Sequence, residues 1–191
     1  MADVDLDYTG VHSFVFIHEV DPGTNIRNVI DDARALTPGD GRVRFAAETV
    51  GSYLGFAHLR TEILAELQDL IAGELWERGV HCDHCVEADT AKRGNRLMGA
   101  KRSTPEVIAL IRVRVQRNSL RAVLEAMADE SGPLGETFKG ASVVFGNFDI
   151  LLQLGGDSFD VVRRDVYGPL QRIDGIAATD TAFTDARRYE G

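Results

Sequence analysis

The 191-residue sequence predicts an α+β protein in which two ferredoxin-like βαββαβ repeats pair as a pseudo-dimeric α/β barrel. Three observations carry this expectation: an internal repeat, the same succession of strand and helix periods in each copy, and a basic segment between them. The repeat is sought first, because missing one misassigns a whole fold. Val11–Ile17 matches Val107–Val113 at an offset of 96, and Ile26, Val29, Ile30 and Ala33 match Leu120, Val123, Leu124 and Met127 at 94. Gly51-Ser52-Tyr53 matches Gly146-Asn147-Phe148 at 95, as Leu64, Leu67, Ile71 and Leu75 match Phe159, Val162, Val166 and Leu170. Gly79-Val80 matches Gly175-Ile176 at 96. Five segments in one order at a nearly constant offset are a duplication.

Each element follows from local pattern. Val11–Glu19 and Val107–Gln116 are β-branched, apolar and of strand length. The i, i+3, i+4, i+7 spacing of Ile26, Val29, Ile30 and Ala33 is a helical stripe, repeated in its counterpart, with Thr24 and Asn118 as expected N-caps. Residues 42–49 and 138–145 are the next strands, each turning at a Gly-centred pair into 53–58 and 148–154. Residues 62–77 and 158–171 are amphipathic helices, and 80–88 and 176–184 are closing strands.

Charge divides the chain in the same way. Residues 1–91 carry 6 Arg against 17 acids, a net of −11, and form the first repeat; residues 105–191 carry 10 basic residues against 13 acids, a net of −3, and form the second. Between them, 92–104 holds five basic residues and no acid, and reads as a solvated linker. Its Lys92, Arg93, Arg96, Lys101 and Arg102 lack interleaved aromatics for stacking bases, and the whole chain carries −9, so direct nucleic-acid binding is not expected. No apolar run approaches the ~18–20 residues of a membrane span. Met1–Gly10 is acidic, and Cys82 and Cys85, three apart, make no secreted disulfide framework; together these place the chain in the cytoplasm, away from membranes.

The second repeat, from Val107 to about Arg187, resembles the ligand-binding (RAM) domain of the Lrp/AsnC regulator family. The resemblance lies in Gly146-Asn147-Phe148-Asp149 followed by an apolar strand, in the helix 159–170, and in Asp174-Gly175-Ile176 before a Thr-rich strand. The first repeat keeps Gly51-Ser52-Tyr53 but has Leu54 where the motif has its Asp. No helix-turn-helix precedes the domain. The resemblance therefore implies a transcription-regulation module without its own DNA reader. Such a module would bind a small-molecule effector, such as an amino acid, and self-associate as a homo-oligomer. Gly146, Asn147, Phe148 and Asp149 are the ligand-site residues it implies. Read locally, the same residues also suit a turn, a packed ring and a backbone cap.

His81-Cys82-Asp83-His84-Cys85 is the one segment with metal-type ligands, suited to zinc or another transition metal. On a strand, His81, Asp83 and Cys85 face one way and Cys82 and His84 the other, so one ion cannot hold all of them. Completing a site would take His12, His18 or His58. Buried uses, as a small hydrophobe at Cys82 and ordinary surface histidines, remain open beside it. All five His and the only Trp lie in the first repeat. The alternative function is accordingly a dimeric α/β-barrel enzyme, monooxygenase-like or dependent on haem or metal, with His58 or His81 in its pocket. No P-loop or nucleophile-elbow motif occurs. Asp31-Asp32 and Asp129-Glu130 are read as surface acids, so the sequence names no catalytic residue.

Overall fold

Along β1 (Val11–Val20) the side chains alternate: Phe14 and Phe16 pack on one side of the sheet and Val15 and Ile17 on the other, all four buried. A strand buried on both faces has to be covered twice, and the rest of the chain does so. The structure, a computed structural model, describes residues 10–40, 42–88, 96–98 and 105–185. After β1 come α1 (Ile26–Asp40), β2 (Val43–Glu48), β3 (Val50–Gly51), β4 (Gly55–Thr61), α2 (Leu64–Gln68) and β5 (Val80–Glu87). Then follow β6 (Arg96–Met98), β7 (Val107–Val115), α3 (Leu120–Ala128), β8 (Phe138–Phe145), β9 (Ile150–Gly156), α4 (Phe159–Tyr167) and β10 (Ile176–Asp185).

The fold is α+β, with one large antiparallel sheet in the order β2-β4-β1-β5-β8-β9-β7-β10-β3 and β6 beside β8. Its first and last strands, β2 and β3, are consecutive in the chain with only Thr49 between them, so the ring of strands is closed by the chain itself. Two short junctions join the halves of the ring. Val86 and Glu87 of β5 pair with Phe145 and Val144 of β8, and Phe183 and Ala182 of β10 pair with Val50 and Gly51 of β3.

Three cores result. Ala109, Ile111 and Val113 of β7 pack with β8 and β9 against α3 and α4. Val15, Ile17 and Leu59 pack against Val29 and Ile30 of α1, Leu67 of α2 and Leu70 just after it. The inner faces of both halves share the third core, built on Phe14, Phe16, Tyr53, Phe56, Leu110, Phe148 and Leu151. The ring is therefore filled with aromatic side chains.

Several local expectations change. Helix α1 is capped by Asn25, whose Oδ1 accepts from the Arg27 N–H at 3.0 Å, while Thr24 donates to the Arg78 carbonyl. Asn118 sits in the left-handed region at φ 68°, and Ser119 precedes α3 without a side-chain cap. The helix expected over 62–77 begins at Leu64 and turns π-helical over Asp69–Leu75, a widening that periodicity does not announce. Within the expected linker 92–104, Arg96–Met98 forms β6, with Leu97 opposite Ala141; the remainder lies outside the described residues, as does the acidic start. No helix among the described residues is long and apolar enough to cross a membrane.

Ring closure depends on Gly51. Its φ is +132°, and a Cβ there would lie 2.6 Å from the Thr181 carbonyl oxygen across the β3–β10 junction. Gly51→Ala is expected to lower stability by about 2–3 kcal/mol, the range for strained positive-φ positions. Gly73→Ala, where an added Cβ meets nothing within 4 Å, is the control and should leave the urea midpoint unchanged or raised. Equal midpoints for the two variants would disprove the role of Gly51.

Candidate functional site

The inner face of β7 carries Ile108, Leu110 and, one step on, Arg112. An arginine at this register enters an aromatic interior and must be compensated there. Its guanidinium lies 4.3 Å from the Tyr53 ring centre, 5.1 Å from Phe16 and 5.3 Å from Phe148. It donates to Asp180 Oδ2 at 2.8 Å, from the neighbouring β10, and to Asp83 Oδ2 at 3.0 Å, from β5 in the other half. Tyr53 donates its hydroxyl to the same Asp180 carboxylate, and His18 Nδ1 lies 3.9 Å from Asp83. Burial pushes Asp180 up, but hydrogen bonds from Ser52, Tyr53 and Arg112 outweigh it and hold the carboxyl below its usual range. Burial and the Asp180 hydrogen bond raise the Tyr53 phenol far above its ordinary value, which keeps it a neutral donor.

The metal-type segment occupies β5 and alternates as expected. Cys85 packs with Phe14 and Phe16 inside the ring; Cys82 packs on the helix side. Asp83 is held by Arg112, and His81 Nε2 meets Asp21 Oδ1 at 2.8 Å beside the edge of Trp76. His84 is exposed. Burial raises the Cys82 thiol to about 11 and the Cys85 thiol to about 12, so neither is an activated thiolate at neutral pH. Among the described residues, no three His, Cys, Asp or Glu side chains converge as a metal site. His12 and His58 meet each other, Nδ1 to Nε2 at 2.9 Å, at the opposite end of the interior from His18.

The turn residues singled out in the sequence all serve the ring. A Cβ on Gly146 would come within 3.0 Å of Cys85 Cβ, so the missing side chain lets β8 close on β5. Asn147 accepts at its carbonyl from Arg114 at 2.9 Å. Phe148 stacks edge-on with Phe16 at 5.5 Å under Arg112. Asp149 Oδ2 accepts from the Val115 N–H at 2.8 Å.

A cavity lies at the other junction, where β3 meets β10, and no motif pointed to it. It measures about 530 Å³, within the range of small-molecule sites. Phe159, at the start of α4, and Phe183 form its aromatic wall, 4.8 Å between ring centres. Glu48, Glu106 and Asp185 bring carboxylates, and Arg27 is drawn to Glu48 at 2.9 Å. Thr184 also lines it; its Oγ1 is buried without a hydrogen-bond partner, and the residue is 5% exposed. A buried hydroxyl left unpaired is costly, and this one has no surface open to the cavity.

No protein-family model matches the sequence, and no curated protein matches it. Solved structures do resemble the fold. The siroheme decarboxylase NirDL superposes with a TM-score of 0.63 at 10% identity over 91% of this chain and 70% of its own. An anthrone oxidase-like protein gives 0.58 at 10% identity over 94% and 95%. A mutant chlorite dismutase from Candidatus Nitrospira defluvii gives 0.55 at 12% identity over 92% and 91%. At such identities the likeness is one of fold.

These neighbours correct the Lrp/AsnC resemblance, and with it the expected effector-binding and transcription-regulation role. The physical reason is visible at residues 146–149: a close-approach glycine, a packed ring and an aspartate that caps a strand are what this hairpin needs in any sheet of this kind. The motif reported the hairpin, and ligand specificity was read into it.

Two outcomes test the interior. Arg112→Met should cost about 2–3 kcal/mol in urea unfolding, less than a fully buried pair because solvent reaches Asp83 and Asp180. An unchanged midpoint would show that the ion pairs hold nothing together. Because the folded Asp180 lies below its unfolded value, its contribution is complete above pH ~4 and fades as pH falls through the folded value. Asp180→Asn should therefore destabilise at pH 7 and flatten the acid limb of the stability curve; an identical acid limb would refute the assignment.

Proposed function

We propose that the chain is an enzyme of the α+β-barrel type that binds a small, planar, mostly apolar molecule in the 530 Å³ cavity and abstracts a proton from a carbon conjugated with its carbonyl group. We also propose that residues 1–91 and 105–191 are a pseudo-symmetric pair joined by 92–104. The two junctions support this, since β5 meets β8 as β10 meets β3. The observation that carries the functional reading is the aromatic wall of Phe159 and Phe183 facing carboxylates in one cavity. A ring against Phe159 and Phe183 would bring its acidic carbon to those carboxylates. Glu106 or Asp185 would take the proton, Glu48 being held by Arg27. Proton abstraction of this kind suits the anthrone oxidase-like neighbour, and it uses only groups this chain carries.

The neighbours also raise a tetrapyrrole, since NirDL was solved with an iron-uroporphyrin III analogue. The cavity does not fit one. Haem iron takes a His, Cys, Met or Tyr ligand, and none lines it among the described residues. Its acidic side chains would repel the carboxylates of a uroporphyrin. Added haemin should therefore leave the proton exchange described below unchanged; competition between the two would refute this exclusion from the cavity.

The main test is exchange of the methylene protons of anthrone in deuterated buffer, followed by NMR. Exchange faster than in buffer is expected. Glu106→Gln combined with Asp185→Asn should return it to the buffer rate. Exchange at the buffer rate in the wild-type chain, or exchange that the double variant leaves untouched, would overturn the proposal.

A further inference from the structure

A second cavity lies between sheet and helices in the first half. Val15 and Ile17 of β1, Val43 of β2, and Ala57 and Leu59 of β4 form its floor; Val29, Ile30 and Ala33 of α1, with Leu70 and Leu75 of the π-helical stretch, form its roof. It offers about 50 Å³ of room, several times the ~10–15 Å³ that one water needs. No aliphatic side chain among these offers water a hydrogen bond, so the space favours an apolar occupant.

The cavity arises from three coordinated differences between the halves. By the 94–95 residue offset, Ala33 stands where the second half has Met127, Val43 where it has Phe138, and Ala57 where it has Leu152. Met127, Phe138 and Leu152 are buried together in the second helix-side core and fill the corresponding space. A helix with a π-helical wall covers the first cavity; α4, its counterpart, is α-helical. The two remaining lining residues, Glu74 and Arg78, are half-exposed and mark the opening. Each is already paired, Glu74 with Arg42 at 3.6 Å and Arg78 with Asp32 at 3.0 Å, so the entrance offers no unmatched charge to an ionic ligand.

We infer that this cavity is a binding site for a small neutral apolar molecule, no larger than about a xenon atom, and that Ala33, Val43 and Ala57 make it. The site is independent of the proton-abstracting cavity, with which it shares no residue.

Xenon in pressurised thermal-unfolding experiments is the probe. At about ten times its Kd it should raise the Tm of the wild-type chain by about 3–5 °C. Ala33→Met and Ala57→Leu, each installing the residue of the second half, should abolish the shift while keeping the circular dichroism of the wild type. No shift in the wild type would overturn the inference, as would an equal shift in a folded filled variant. Methyl NMR of the wild-type chain under xenon pressure gives a reading that needs no variant. Resonances of Val29, Ile30 and Leu70 should move; movement confined to methyls of the second half, or none, would overturn the proposal.

Discussion

A cation set into an aromatic interior organises this molecule. Arg112 stands cross-strand from Asp180 within its own half and reaches Asp83 in the other. Neither carboxylate alone would compensate a guanidinium withdrawn from water, and the rings of Phe16, Tyr53 and Phe148 leave it little room to move. Ion pairs of this sort add modestly to stability, but their geometry is exacting. Rotating one half against the other would break the Asp83 arm or unstack Tyr53. The arrangement therefore fixes how the two inner faces meet. Through Tyr53 and Ser52 it also fixes the Thr49–Gly51 bend against β10, where the large cavity opens.

Much of this was legible in the chain. The alternation of periods locates nearly every strand and helix, because burying one face of a strand or helix leaves a period that survives whatever packs on it. The expected alternation along β5 also holds, with Cys85 inside the ring and Cys82 on the helix side. What stayed hidden depends on neighbours distant in sequence. Nothing local marks Arg112 as buried, since its compensating acids lie 29 and 68 residues away. The cavity at the β3–β10 junction draws on five separate segments, and Thr184 is distinctive only for a partner it lacks. The repeat comparison did hold one unused signal. The offset that aligned Ala33 with Met127 already recorded a large residue exchanged for a small one at a core position.

The His and Cys residues drew attention by chemical type, and the structure answers by partner. His81 is occupied with Asp21, Asp83 with Arg112, and Cys85 with phenylalanines. A ligand-type residue has coordinating potential only while its lone pairs are unspent and its side chain converges with others. Spacing along one strand supplies neither condition.

The two junctions of the ring then explain where a site can exist. They are built alike, yet their flanks differ. Beside the β5–β8 junction, the residues between the halves contribute β6, which lies along Gly140–Ser142 of β8. The comparable edge of β2, just before the β3–β10 junction, carries no such strand among the described residues. One seam is thus covered by β6. The other carries no such strand among the described residues, and around it gather two phenylalanines and three carboxylates. Two equally covered seams would offer two equal sites; β6 lies beside one and, among the described residues, no strand lies beside the other, which argues for a single site at β3–β10.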